Sequence, residues 1–203
     1  MVTGTQSDKA LALLRQKGLT RLSEFRRAGI TGATIARLEK AGRIARRARG
    51  LYQLPDAPLD AHHSLAEAAK LVPGAVVCLA SALAFHGLTD QIPARVWLAI
   101  GAKDWRPRLK YPPMRFVHFS PVQIRRGVEH HSIEGVSVPL FSVAKTLADL
   151  FRYRRTVGIN LAVEGLREAL HQRKAKPAEI AREAADAGVW KVMEPYVSAL
   201  SNG

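Results

Sequence analysis

Glycines at 18, 29, 42 and 50 punctuate the first 54 residues and leave room only for short elements between them. Residues 8–17 put Ala10, Leu11 and Leu14 on one helical face, and Gly18 suits a C-cap because it tolerates positive φ. Thr20 is placed to cap a second helix carrying Leu22 and Phe25, which ends at Ala28-Gly29. Thr31 caps a third, with Ile35 and Leu38 on one face and Gly42 closing it. After Gly42 the hydrophobic period changes. Arg43–Arg46 and Leu51–Leu54 read as two short strands around a basic tip, Arg47-Ala48-Arg49-Gly50. Three short helices followed by a basic hairpin predict a winged helix-turn-helix over residues 1–54.

Helical geometry assigns roles within that segment. With Ile35 and Leu38 inward and 100° per residue, Ala33, Ala36, Arg37 and Lys40 fall on the opposite face of the third helix. The two alanines permit close approach to base edges or to a thymine methyl, Arg37 suits bidentate pairing with guanine, and Lys40 suits a phosphate. Thr31 at the helix start is placed to donate to a phosphate alongside backbone N–H groups. Arg46, Arg47 and Arg49 form a wing that enters a minor groove or grips the backbone, and Arg21, Arg26 and Arg27 are expected phosphate anchors. Phe25 departs from the pattern, since such motifs usually place a small residue where the two helices cross.

Charge supports this reading. The chain of 203 residues carries a formal charge of +14, and such a balance favours a polyanionic partner. Twelve of the Lys and Arg residues lie in the first 54, against Asp8, Glu24 and Glu39 alone. No apolar stretch approaches the roughly 18 residues of a membrane span, and the start of the chain lacks a signal-peptide pattern, so a cytoplasmic protein without membrane contact is expected. A single cysteine, Cys78, in the apolar run 75–79 rules out a disulfide framework and reads as a small buried hydrophobe.

Pro55-Asp56-Ala57-Pro58 continues neither ladder nor helix and is expected as a linker at 55–58. Residues 59–203 read as a larger mixed α+β domain with a small sheet and a helical C-terminal half. Leu65–Leu71 and Ser81–His86 look helical, and Arg95–Ile100 looks like a buried strand. Further strands are expected at Arg115–Phe119 and around Ile133–Val136. From Ser142 the pattern is helical: Val143, Leu147, Leu150 and Phe151 form one stripe, and Ile159, Val163, Leu166 and Leu170 another. Pro177 suits a first helical turn, and Pro195 interrupts or starts the last helix.

Other chemistry is weakly encoded. His62-His63 and His130-His131 point in different directions within each pair, so neither forms a metal site unaided. Asp90, Asp104, Glu129, Glu134 and Asp149 are scattered rather than clustered as a Mg²⁺ nuclease requires. No catalytic residues, metal or cofactor are therefore expected. The loop 101–113 interleaves Lys103, Arg106, Arg108 and Lys110 with Trp105 and Tyr111, and reads first as a basic surface loop with a buried Trp anchor, second as a nucleic-acid grip. Two other classes stay open: a DNA-targeted nuclease or modifying enzyme, which predicts metal-dependent cleavage, and a ligand-responsive transcription factor, which predicts that a small molecule shifts DNA affinity.

The chain resembles the AbiEi family, antitoxins of abortive-infection type IV toxin-antitoxin systems. The resemblance rests on the helix-turn-helix and Gly42-Arg43-Ile44 through Arg49-Gly50-Leu51-Tyr52-Gln53-Leu54-Pro55. It extends over Ser81–Leu88, Lys145–Arg154, Ala162–Arg167 and Val192–Tyr196. It implies a repressor that binds inverted repeats in its own promoter as double-stranded DNA. It also implies that residues 59–203 counteract a nucleotidyltransferase-like toxin without needing a stable complex with it.

Overall fold

The computed structural model describes residues 4–107, 109 and 111–201. The chain divides into two compact units, Met1–Pro73 with His131–Val138, and Gly74–His130 with Pro139–Gly203. The first unit thus runs past the linker expected at 55–58 and takes in a distant segment.

In the first unit, α1 (Gln6–Lys17) opens on a capping box: Thr5 Oγ1 accepts from the Asp8 N–H at 3.2 Å, and the Asp8 carboxylate accepts from the Thr5 N–H at 3.0 Å. β1 (Thr20–Arg21), α2 (Leu22–Arg27), α3 (Gly32–Lys40), β2 (Ala45–Ala48) and β3 (Leu51–Gln53) follow. The strands form an antiparallel sheet in the order β1-β3-β2. Thr20 does not cap α2. Its backbone is held in the sheet opposite Tyr52, its side chain is buried, and Arg21 takes the cap position, its N–H bound at 2.8 Å by the Glu24 carboxylate three residues on. The first wing strand begins two residues later than expected. The Arg43 N–H returns to Leu38 O and the Gly42 N–H to Glu39 O, so Arg43 finishes α3 and Ile44 enters the core before pairing begins.

Ala10, Leu11, Leu14, Phe25, Ile30, Ile35, Leu38, Ile44 and Tyr52 make the core of this unit. Phe25 is fully buried and meets Tyr52 edge-on at 6.1 Å between centroids, so the wing strand supplies the space that a small residue at the helix crossing would otherwise supply. The unit is completed by α4 (His63–Leu71) and the turn of a hairpin formed by β7 (Val128–Ile133) and β8 (Val136–Phe141). The strand expected around 133–136 is that turn: Glu134 and Gly135 both adopt positive φ, the requirement of a two-residue hairpin connection. The Glu134 carbonyl lies against Gly18 so closely that a Cβ there would sit 1.9 Å from it.

The second unit holds β4 (Val76–Val77), α5 (Leu79–Phe85), β5 (Val96–Gly101) and β6 (Met114–Phe119). After the hairpin come α6 (Val143–Arg152), α7 (Arg154–Val157), α8 (Ile159–His171), α9 (Pro177–Asp186) and α10 (Trp190–Ser201). The sheet order is β6-β5-β4-β8-β7; β5 runs parallel to β6 and antiparallel to β4, and β4 is parallel to β8. α6 is not the one-sided helix its apolar stripe suggests. Every residue from Ala144 to Phe151 is buried, including Lys145 and Asp149, which pair at 2.5 Å. On α8 the small residues Ala162, Gly165 and Ala169 are buried with Leu166, while Ile159, Val163 and Leu170 are half-buried. A Cβ on Gly165 would come within 2.6 Å of Leu83 Cδ1, so small residues let the helix lie close to α5. Pro177 opens α9 and Pro195 lies within α10.

Candidate nucleic-acid interface

α3 owes its position to its buried face. Thr34, Ile35 and Leu38 are buried, and Ala33, Ala36, Arg37 and Lys40 are all exposed, as the helical geometry predicts. Gly29 and Gly42 close α2 and α3 with the same pair of backbone bonds, so the turn between the helices is tight and α3 stops before the wing.

The start of α3 is wired differently from expectation. Thr31 Oγ1 accepts from the Thr34 N–H at 3.3 Å. Its own N–H and hydroxyl donate to Gln6 Oε1 at 3.2 and 3.1 Å, and the Thr34 hydroxyl donates to the same oxygen at 2.8 Å. Gln6, at the first position of α1, therefore acts as a second cap on α3. Sequence reasoning missed it because the partners are 25 and 28 residues apart. Arg37 Nη2 donates to Thr34 Oγ1 at 3.3 Å, which ties the guanidinium to this cap while leaving the residue exposed.

The remaining basic residues fall into two groups. Arg26, Arg27, Arg46 and Arg49 are exposed; Arg27 Nε and Arg46 Nε each reach a backbone carbonyl, Ser23 O and Ala48 O. Arg21 and Arg47 are half-buried. Arg47 lies in β2 rather than at the tip, and its Nε donates at 2.8 Å to Gln53 Oε1. Gln53 Nε2 in turn donates at 3.0 Å to Glu134 Oε2, whose carboxylate also faces His63 Nδ1 at 2.8 Å and accepts the Asp60 N–H at 2.7 Å. His63 Nε2 lies 3.3 Å from the buried Glu67 carboxylate. This chain of groups joins the wing to α4. Burial raises the Glu67 carboxyl above its ordinary range, only partly offset by His63 and Arg47. Glu24 goes the other way: burial would raise it, but the Arg21 N–H, Lys70 at 2.9 Å and Lys17 together hold it below the usual range. The His62-His63 pair had drawn notice in the sequence, but nothing there indicated a carboxylate 71 residues away.

Against the expected buried anchor, Trp105 in the loop 101–113 is 88% exposed. Lys103 and Arg106 of that loop are exposed as well, and Arg108 and Lys110 lie outside the described residues.

The order of elements, the three-stranded wing sheet and the exposed α3 face describe a winged helix-turn-helix. Residues 8–55 match the family model described as "Transcriptional regulator, AbiEi antitoxin". Over these residues the chain is similar to the AbiEi antitoxin regulators. The match takes in α1 from Asp8 onward, α2, α3 and the wing, ends at Pro55 and leaves α4 outside it. The whole chain resembles the crystal structure of the RV2827C protein from Mycobacterium tuberculosis, with a TM-score of 0.59 and 14% identity. The alignment covers 98% of this chain and 77% of that one, a likeness of fold. The chain matches no curated protein. Among the described residues no helix is long and apolar enough to cross a membrane.

Proposed function

We propose that the protein is a DNA-binding antitoxin of a type IV toxin-antitoxin system. It represses its own operon by seating α3 in the major groove at inverted repeats of the promoter, and it counteracts a nucleotidyltransferase-like toxin with which it need form no stable complex. The observation that carries this is the outward face of α3, Ala33, Ala36, Arg37 and Lys40, exposed on a helix braced by Ile35 and Leu38 within the segment that matches the AbiEi regulators. Arg37 reads a guanine and Lys40 takes a phosphate; Arg26, Arg27, Arg46 and Arg49 grip the backbone, with Arg21 and Arg47 behind them. Gln6 already satisfies Thr31, so the phosphate nearest the start of α3 meets the Gly32 and Ala33 N–H groups instead. On this reading the protein acts in the cytoplasm by binding, not by catalysis.

In a mobility-shift titration at fixed salt, Arg37→Ala is expected to cost about 1–3 kcal/mol on promoter duplex and to relax preference at one base pair. Equal losses on promoter and scrambled duplex would overturn base reading by Arg37. Rescue of growth on co-expression with the nucleotidyltransferase-like toxin tests the antitoxin half.

A further inference from the structure

The second unit carries its own concentration of positive charge, which the winged helix does not explain. Residues 91–128 hold eight Lys and Arg against Asp104 alone. Three of these, Arg95, Arg106 and Arg115, line a groove of about 560 Å³ along β6, together with Trp97, Phe116 and His118. A second hollow of about 400 Å³ shares Arg95, Trp97 and Arg115, so the two make one track along the edge of the sheet. Among the described residues the lining of both contains no carboxylate, and the nearby Glu164 carboxylate already accepts from Thr89 Oγ1 at 2.8 Å and Gln91 Nε2 at 3.4 Å. Asp104, the one acid of the segment, directs its carboxylate to the Gly101 N–H at 2.8 Å. The floor is organised by register: β5 and β6 run parallel with Trp97 opposite Arg115, and the Arg115 guanidinium lies over the Trp97 ring at 4.4 Å. That contact holds the guanidinium in place and leaves its N–H edge for an incoming anion. Trp105, next in sequence to the lining residue Arg106, and Tyr111, three residues before the lining segment Met114–His118, are 88% and 56% exposed, large flat rings left in water.

We propose that this groove binds single-stranded nucleic acid. The arginines match a phosphate backbone, and the exposed rings match the faces of unpaired bases. A duplex hides those faces in its own stack and leaves the rings unused. An acidic peptide would satisfy the arginines but, unlike a nucleic acid, does not carry a flat ring on every repeat for Trp105 and Tyr111 to meet.

The test uses the full chain and two fluorescent probes, a dodecauridylate and the promoter duplex, followed by anisotropy at fixed salt. Wild type binds the dodecauridylate saturably and its tryptophan emission is quenched on binding. The triple variant Arg95→Ala/Arg106→Ala/Arg115→Ala lowers that affinity at least about ten-fold and leaves duplex affinity within about two-fold, which also shows that it has folded. Trp105→Ala costs about five-fold or more, the low end of one base stack, and Trp105→Phe recovers most of it. The proposal is overturned if wild type shows no saturable oligomer binding, or if Arg37→Ala removes it while the triple variant does not. It is equally overturned if Trp105→Ala changes nothing and polyglutamate displaces the oligomer as well as unlabelled oligouridylate does. Failure of the duplex arm alone counts against the operator reading and leaves this one intact.

Discussion

At the scale of single residues, Gly18 and Gly29 separate two costs that are usually confounded. Both adopt positive φ, but a Cβ at 18 would lie 1.9 Å from Glu134 O, whereas one at 29 meets nothing within 4 Å. Gly29→Ala is expected to cost about 1–2 kcal/mol, the conformational penalty alone. Gly18→Ala should cost at least twice that in a urea titration, because backbone must move. Equal losses would mean that the hairpin turn gives way freely. Asp149 makes the other residue-scale prediction. Burial raises its carboxyl to about 6 despite the Lys145 ammonium at 2.5 Å, and its Oδ1 has no hydrogen-bond partner among the described residues. A folded pKa above the unfolded value near 3.9 means that its contribution to stability is complete below about pH 4 and is lost as pH rises through about 6. The Asp149 carboxyl carbon should therefore titrate near pH 6 by NMR, and a midpoint near 4 contradicts this account. In the first unit Glu67 shifts in the same direction and Glu24 in the opposite one, so acid does not act uniformly within that unit.

Among the elements, the wing divides its arginines by task. Arg49 sits beyond β2 and is exposed, whereas Arg47 is held by Gln53 within β2. Arg49→Ala is expected to flatten the slope of log affinity against log salt by about 1, the signature of one lost phosphate contact. Arg47→Ala should leave that slope nearly unchanged and instead lower the melting temperature, because Gln53 and Glu67 lose a partner. A salt titration paired with thermal melts distinguishes them. The helices of the winged segment were legible because their instructions are local, an apolar stripe and a closing glycine within a dozen residues, although the cap of α2 fell to Arg21 and not to Thr20. β1 and β4, two residues each, carry no such pattern; only their partners Tyr52 and Leu51, and Leu98 and Leu140, make them strands. The same holds for α6, whose buried Lys145 and Asp149 look like a solvated face until neighbours cover them.

For the molecule as a whole, the N-terminal unit is not a stretch of chain that ends at a linker. Residues 131–138 belong to it, and Glu134 supplies acceptors to Gln53, Asp60 and His63. A fragment ending at Pro73 should therefore melt below the same unit in the full chain. Rejoining 131–138 through a flexible linker should recover most of the difference, read by hydrogen exchange at Tyr52 and Gln53; no recovery would show that those bonds contribute little. The sequence by itself determined the three helices, the position of the wing, and the outward face of α3, because helix periodicity and capping act within one or two turns. Only the tertiary structure decided that Gln6 caps α3, that Glu134 joins the wing network, that Trp105 stands in solvent, and that Arg95, Arg106 and Arg115 share one groove. Each of these depends on where groups far apart in the chain come to lie, which the packing of helices and the ordering of strands set and no local pattern does.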